Sequence, residues 1–282
     1  MQGEPTTSAE GSLGAPARKQ LHALRLGRRD SIGSAYQVLT FEAAEPLVAR
    51  AGQFTMVRGA AWGDAPLLAR PMSLLTAGDR PSILVKVVGE GTRRLAQAAS
   101  GETFHLLAPL GKPWSPCPAD RRPVLVAGGV GVAPLIFLAR ELAATGAGSP
   151  RPLALYGART HADLPLDRDL AEHAELRIAT EDGSRGAAGR VTVLLEAALD
   201  ELVQAGEAPR IYTCGPDRMM AAVAAIAAER GVPCEASLET PMACGYGVCL
   251  GCPVSKQGGG YLYACTEGPC VDAATIDWTR GA

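Results

Sequence analysis

Cys244, Cys249, Cys252 and Cys265 follow one another as C-x4-C-x2-C-x12-C, a spacing that matches the thiolate cradle of a plant-type [2Fe-2S] cluster. Such a cluster takes two thiolates per iron, so three closely spaced cysteines and a fourth returning from a nearby strand supply the set. Gly245, Gly247 and Gly251 lie between the ligands, and glycine's tolerance of positive φ lets a short loop wrap closely and turn its N–H groups toward sulfur. A zinc knuckle would offer two C-x-x-C pairs across a longer spacer, whereas only Cys249 and Cys252 form one. A disulfide set would require an oxidising compartment. The loop therefore points to one-electron chemistry. On spacing alone Cys270, in ACTEGPC, remains an alternative fourth ligand.

Two other groups of residues have the chemistry to hold a dinucleotide. Arg70-Pro-Met-Ser73 precedes a β-type run, and Lys86-Val-Val-Gly-Glu-Gly-Thr92 places Gly91 and Thr92 where a strand gives way to a helix. Helix N-termini present free N–H groups and a favourable dipole to phosphate, and an arginine can pair with a pyrophosphate oxygen. Together they could hold a flavin dinucleotide, with Ser73 at the ring edge. Ala127-Gly-Gly-Val-Gly-Val-Ala-Pro134 lies at another strand-to-helix junction, where Gly128, Gly129 and Gly131 permit close backbone approach to phosphate. It is not the G-x-G-x-x-G fingerprint, because a proline stands near the third glycine position. Tyr212-Thr-Cys-Gly-Pro-Asp-Arg-Met219 closes a strand and opens a helix. Cys214, Gly215 and Pro216 should face the same ligand, with Cys214 as a wall beside a nicotinamide or merely a small buried hydrophobe. Thr180–Gly186, a polar turn, could line the far side, and Arg159 could meet a 2′-phosphate. His22, His105, His161 and His173 show no metal spacing and no linked nucleophile.

These residues need elements to position them. From Leu21 to Pro109 short β-type runs such as Ala35–Phe41, Gln53–Arg58 and Ser82–Val88 alternate with turns, which reads as an antiparallel barrel. One helix is expected at Thr92–Ala99, capped by Thr92, with Leu95, Ala96 and Ala99 facing inward. After Pro123 the rhythm becomes strand Val124–Ala127, helix Pro134–Thr145, strand Leu153–Gly157, helix Leu166–His173 and strand Leu176–Thr180. Helix Val191–Gln204, strand Ile211–Thr213, helix Asp217–Arg230 and a last strand at Cys234–Leu238 follow. Strands alternating with helices imply a doubly wound parallel sheet. The division expected is a disordered tail over 1–17, an FAD-binding β-barrel domain over 18–118, an NAD-binding α/β domain over 119–232 and a [2Fe-2S] subdomain over 233–282.

With 282 residues, 47% of them hydrophobic, the chain can bury sizeable cores. A formal net charge of -2 without a long basic run gives no reason to expect nucleic acid as a partner. The apolar stretches Val124–Ala139, broken by glycines and Pro134, and Met219–Ala228 do not suit a membrane span. Residues 1–17 lack the apolar core of a signal peptide, so a cytoplasmic location with reduced thiols is expected.

In their order, R-P-x-S, G-x-G-T, A-P-L-G at Ala108–Gly111, G-G-x-G-x-A-P, C-G-P and the cysteine loop resemble the ferredoxin reductase-like superfamily. Within it, the resemblance runs to the electron transfer subunits of two-subunit, NAD-linked dihydroorotate dehydrogenases and covers about Leu21 to Asp272. The short gap before Cys265 and the Thr-Glu-Gly-Pro that follows are similar to these subunits and favour Cys265 over Cys270. The resemblance implies FAD contacts from Arg70, Pro71, Met72, Ser73, Leu84, Val85, Lys86, Gly91 and Thr92, and cluster ligation by Cys244, Cys249, Cys252 and Cys265. It also implies NAD as electron acceptor and a hetero-oligomer with a catalytic chain that binds FMN and oxidises dihydroorotate. Nicotinamide exchanges a hydride and a cluster passes single electrons, so a flavin must mediate between them. A hydrogenase gamma subunit or the small subunit of an NADH-dependent ferredoxin:NADP oxidoreductase shares this plan. A redox-sensing module without enzyme activity is a third alternative.

Overall fold

Alternating side chains in the first half of the chain close a barrel. The computed structural model describes residues 18–144 and 151–280; the expected tail over 1–17 and the end of the predicted helix at Thr145 lie outside them. Strands β1 (Gln20–Ile32), β2 (Tyr36–Glu42), β3 (Phe54–Gly59), β4 (Arg70–Thr76), β5 (Ser82–Lys86) and β6 (Thr103–Leu110) join in the order β1-β2-β5-β4-β3-β6, and β1 pairs with β6 to complete the closure. Successive strand residues point to opposite faces, so Leu39, Phe41, Leu74, Ile83, Val85 and Phe104 fill the interior. The rings of Phe41 and Phe104 meet edge to face at 5.7 Å.

Helix α1 (Glu90–Gln97) begins two residues before the expected Thr92. Thr92 therefore caps from inside the first turn: its hydroxyl accepts the Val88 N–H at 2.9 Å and the Gly89 N–H at 3.0 Å. At the other end the helix stops at Gln97, and Ala98 turns extended with ψ 138°. Ala98, not Ala99, is consequently the buried alanine.

The second half is a seven-stranded sheet in the order β10-β9-β8-β7-β11-β12-β15. It comprises β7 (Arg121–Gly128), β8 (Leu153–Ala158), β9 (Glu175–Thr180), β10 (Ala187–Ala188), β11 (Ala208–Cys214) and β12 (Cys234–Ser237), all parallel, with β15 (Cys270–Asp272) antiparallel at the edge. The strand cores are nearly continuous apolar runs because both faces are covered. On one face Leu125, Ala127 and Tyr156 pack with helices α2 (Val132–Ala144) and α3 (Asp167–His173). On the other, Val124, Val126 and Leu155 pack with α4 (Val191–Gln204) and α5 (Asp217–Glu229).

The cysteine-rich segment is not a separate body. A hairpin of β13 (Pro253–Ser255) and β14 (Tyr261–Tyr263) carries it away from the sheet and β15 brings it back. Its Cys252, Val254, Leu262, Ala264 and Cys265 share one core with Phe54, Met56 and Leu110 of the barrel and Met220 of α5. A division at 232/233 therefore cuts the sheet, since β12 and β15 belong to it. The barrel and sheet are also clamped by their connecting segment. Trp114 meets Tyr212 edge to face at 5.6 Å, and the N–H and hydroxyl of Ser115 each donate to the buried Glu235 carboxylate at 3.1 Å. Among the described residues no helix is long and apolar enough to cross a membrane.

Candidate functional site

A cavity of about 370 Å³ opens between the barrel and the sheet. Pro71, Met72 and Ser73 of β4, Leu84 and Lys86 of β5, and Thr92 of α1 line its barrel side. Val85 points the other way, into the barrel interior, as strand alternation requires, and can reach a ligand only through its main chain. Arg70 and Gly91, far apart in sequence, are stacked: a Cβ at Gly91 would overlap the Arg70 guanidinium. The glycine thus lets a cation lie across the first turn of α1, where unpaired N–H groups already favour an anion.

The opposite wall is Leu238–Met242, the stretch that follows β12. Glu239 in this wall belongs to none of the sequence motifs, although an acidic residue just beyond a parallel strand end is where the strand-end rule places ligand contacts. Cys214, at the end of β11, is fully buried and lines neither this cavity nor the next. Its thiol points at the Glu239 carboxylate, Sγ to Oε1 3.9 Å. Burial, reinforced by Glu239, pushes the Cys214 thiol well above its ordinary range. Enclosure likewise raises the Glu239 carboxyl, although the residue as a whole is open at the cavity mouth.

A second cavity, of about 460 Å³, runs over the carboxyl ends of β7, β8 and β11. The strand order reverses between β7 and β11, which makes this the crevice of an open α/β sheet. Gly128, Gly129, Pro216 and Lys86 line it. Its glycines divide their work in a way the sequence does not reveal. A Cβ on Gly131 would lie 2.5 Å from the Cys214 carbonyl carbon and 2.6 Å from the Gly215 nitrogen. One on Gly128 would meet Pro216 at 2.8 Å, and one on Gly215 would meet Gly128 Cα at 2.9 Å. These three glycines therefore interlock the β7–α2 and β11–α5 turns, while Gly129, at φ +52° with nothing within 4 Å, is the one that leaves room for a ligand. Lys86 borders both cavities, held by Asp163 at 3.6 Å and over the Tyr36 ring at 5.3 Å. Tyr36 and Asp163, bonded to each other at 3.0 Å, are further wall residues without a sequence motif.

The four spaced cysteines meet as two pairs. Cys252 and Cys265 approach to 3.2 Å between sulfurs. The Cys244 sulfur accepts the Cys249 N–H at 3.5 Å, and the Cys249 sulfur accepts the Gly251 N–H at 3.4 Å. Partial burial opposes ionisation of Cys244, but N–H donors from Cys249, Tyr246 and Val248 bring its thiol down to about 6. Burial and the neighbouring Cys252 hold Cys265 up at about 12. Among the described residues no three His, Cys, Asp or Glu side chains converge on a single-ion site. Two thiol pairs with N–H donors at their sulfurs fit a two-iron cluster, which takes two thiolates on each iron. Cys270 stands apart, buried on β15 with its sulfur against the Gly52 carbonyl at 3.7 Å. The cluster loop rests on the barrel, since a Cβ at Gly245 would strike Met56. It also continues directly from the first cavity: Met242 lines that wall and Cys244 comes two residues later.

The profile of the iron-sulfur cluster binding domain of dihydroorotate dehydrogenase B matches residues 239–277, and that of the oxidoreductase NAD-binding domain matches residues 125–225. The dihydroorotate dehydrogenase B (NAD(+)) electron transfer subunit of Geobacillus kaustophilus is 38% identical over 232 residues, covering 80% of this chain and 86% of that one. A probable subunit of the same kind from Methanopyrus kandleri is 35% identical over 246 residues, covering 86% and 84%. Among solved structures, a chain of the NADH-dependent reduced ferredoxin-NADP oxidoreductase superposes with a TM-score of 0.77 at 27% identity, covering 95% of this chain and 92% of that chain. With its barrel, switch-point crevice and paired cysteines in this arrangement, the chain belongs to the family of dihydroorotate dehydrogenase B electron transfer subunits.

Proposed function

We propose that this chain is the electron transfer subunit of an NAD-linked dihydroorotate dehydrogenase, working in the cytoplasm as part of a hetero-oligomer with an FMN-binding catalytic chain. The observation that carries this reading is continuity: the wall of the barrel-side cavity runs through Met242 straight into the loop that bears Cys244. Two residues span at most about 7 Å, so a flavin in the cavity and a cluster in the loop would be close neighbours. When bound, FAD would exchange a hydride with NAD and single electrons with the [2Fe-2S] cluster.

The chain's own residues provide the rest. Arg70 would offset the charge of the FAD pyrophosphate, with the N–H groups of Gly91 and Thr92 at the start of α1 beside it, and Pro71, Met72, Ser73, Leu84, Lys86 and the main chain of Val85 would hold the flavin side. Gly128, Gly129, Gly131, Gly215 and Pro216 shape the crevice for NAD. Glu239, set against the buried Cys214, faces the cavity where the nicotinamide must approach the flavin, and Cys214 acts there as its support. Cys244, Cys249, Cys252 and Cys265, already gathered as two thiol pairs, would hold the cluster and supply its four thiolates. Tyr246, Val248 and Leu250 stand exposed on the same loop and offer an apolar face to the partner.

The test is co-expression with an FMN-binding dihydroorotate dehydrogenase chain and assay of dihydroorotate-dependent NAD+ reduction. Cys249→Ser should abolish that transfer while leaving NADH-to-dye activity largely intact; equal loss of both would refute the division of labour. The likeness to the ferredoxin-NADP oxidoreductase chain supports a second reading, a subunit of another soluble flavin complex. Co-purification with a multi-cluster partner in place of the FMN chain would favour it.

A further inference from the structure

Three neighbouring strand ends in the nucleotide crevice bring opposite charges to one rim. The Glu181 N–H donates to the Ala158 carbonyl at 3.0 Å and the Asp182 N–H donates to the Arg159 carbonyl at 3.2 Å, so Glu181 beyond β9 sits beside Arg159 beyond β8. On its other side β10 pairs Ala188 with Thr180, and the Gly189 N–H donates to the Thr180 carbonyl at 2.9 Å, which sets Arg190 next to Glu181. Arg218, in the first turn of α5, completes the cationic rim. All four line the cavity, and among the described residues Arg159, Arg190 and Arg218 have no side-chain hydrogen bond or ion pair.

This arrangement contains both known devices for the adenosine ribose: a carboxylate accepts from a free 2′-hydroxyl, and an arginine receives a 2′-phosphate. A pocket holding only the pyrophosphate of NAD could serve it with Gly129 and the α5 N-terminus, leaving arginines in excess. A phosphate on the 2′-oxygen would bring like charge against Glu181, whereas without that carboxylate it would find Arg159 and Arg190 waiting on either side.

We propose that Glu181 is the residue that restricts this chain to a nucleotide with a free 2′-hydroxyl, and that Arg159 and Arg190 form a 2′-phosphate site which the Glu181 charge keeps closed. The proposal rests on the crevice being the nicotinamide nucleotide site, as argued above.

The experiment uses the full chain carrying its flavin and cluster, titrated calorimetrically with 5′-AMP and with 2′,5′-ADP. Removing one like charge a few ångströms from the 2′-phosphate at a solvent-exposed rim corresponds to about tenfold in affinity. Glu181→Gln should therefore shift the ratio of the two dissociation constants about tenfold or more toward 2′,5′-ADP. Arg159→Ala with Arg190→Ala, added to Glu181→Gln, should erase that gain. NADPH-to-dye kcat/KM relative to NADH should move with the ratio. A ratio unchanged in Glu181→Gln, or a gain that survives loss of both arginines, overturns this proposal alone. If the unsubstituted chain binds neither 5′-AMP nor NADH, the nucleotide assignment of the crevice falls with it.

Discussion

Gly131→Ala tests the interlock between the two crevice turns. The added methyl would lie 2.5 Å from the Cys214 carbonyl carbon and 2.6 Å from the Gly215 nitrogen. The Cys214 carbonyl oxygen would lie closer still, and ordinary contact begins at 3.4 Å, so the β7–α2 and β11–α5 turns must part by about 1 Å. Neither neighbour is the end of a flexible side chain; both are main chain at the ends of central strands, and cannot swing aside. Overpacking of this kind costs about 1–3 kcal/mol, which in a chain of this size lowers Tm by about 2–4 °C per kcal/mol. Displacing a substrate-positioning turn by nearly 1 Å can cost as much as about 100-fold in rate. We expect kcat/KM for NADH-to-dye reduction to fall by about 10- to 100-fold, with bound flavin and cluster absorbance retained. Gly63→Ala, which meets nothing within 4 Å, is the matched control and should change neither quantity. A lowered Tm with unchanged NADH kinetics would refute the claim that the interlocked turns position the nucleotide, and no change in either would refute the interlock.

Cys270→Ala should keep full cluster absorbance after anaerobic reconstitution, because the Cys270 sulfur packs on Gly52 away from the paired thiols, and should lower stability by about 1 kcal/mol; loss of the cluster absorbance would make Cys270 a ligand. Glu235→Ala removes the buried acceptor of two Ser115 hydrogen bonds at 3.1 Å and the partner of the half-buried Arg210 at 3.5 Å. Because exposed Ser115 can turn to water and only Arg210 loses a charged partner, a loss of about 1.5 kcal/mol in denaturant unfolding is expected, and a loss under 0.5 kcal/mol would show that this clamp between barrel and sheet is not needed. Glu239 has its carboxyl raised in the folded state, so the native chain holds that proton longer than the unfolded one, and stability falls as pH rises from 4.5 through the folded value. Glu239→Gln should flatten this limb of the stability–pH curve and leave the others in place; an unchanged limb assigns it to another group.

Element order and the chemistry each turn can carry are legible in local residue pattern. Period-two alternation announces a barrel, and apolar strands alternating with helices announce a parallel sheet, because burial on one face or two writes itself into local pattern. The C-x4-C-x2-C loop is equally legible, since ligation fixes residue type and spacing within a few positions. Short edge strands such as β10, β13 and β14, of two or three residues, leave no such pattern. Contact across the fold was not readable either. That Gly91 exists to admit Arg70, that Gly128 and Gly131 serve the facing turn and only Gly129 opens to a ligand, and that Cys214 stands buried behind Glu239 all depend on atoms from distant segments meeting. The cysteine loop is a local motif, but its place beside the barrel-side cavity is set by a core shared among Met56, Met220 and Cys252. Packing between segments decides such positions, and no spacing along one segment encodes them.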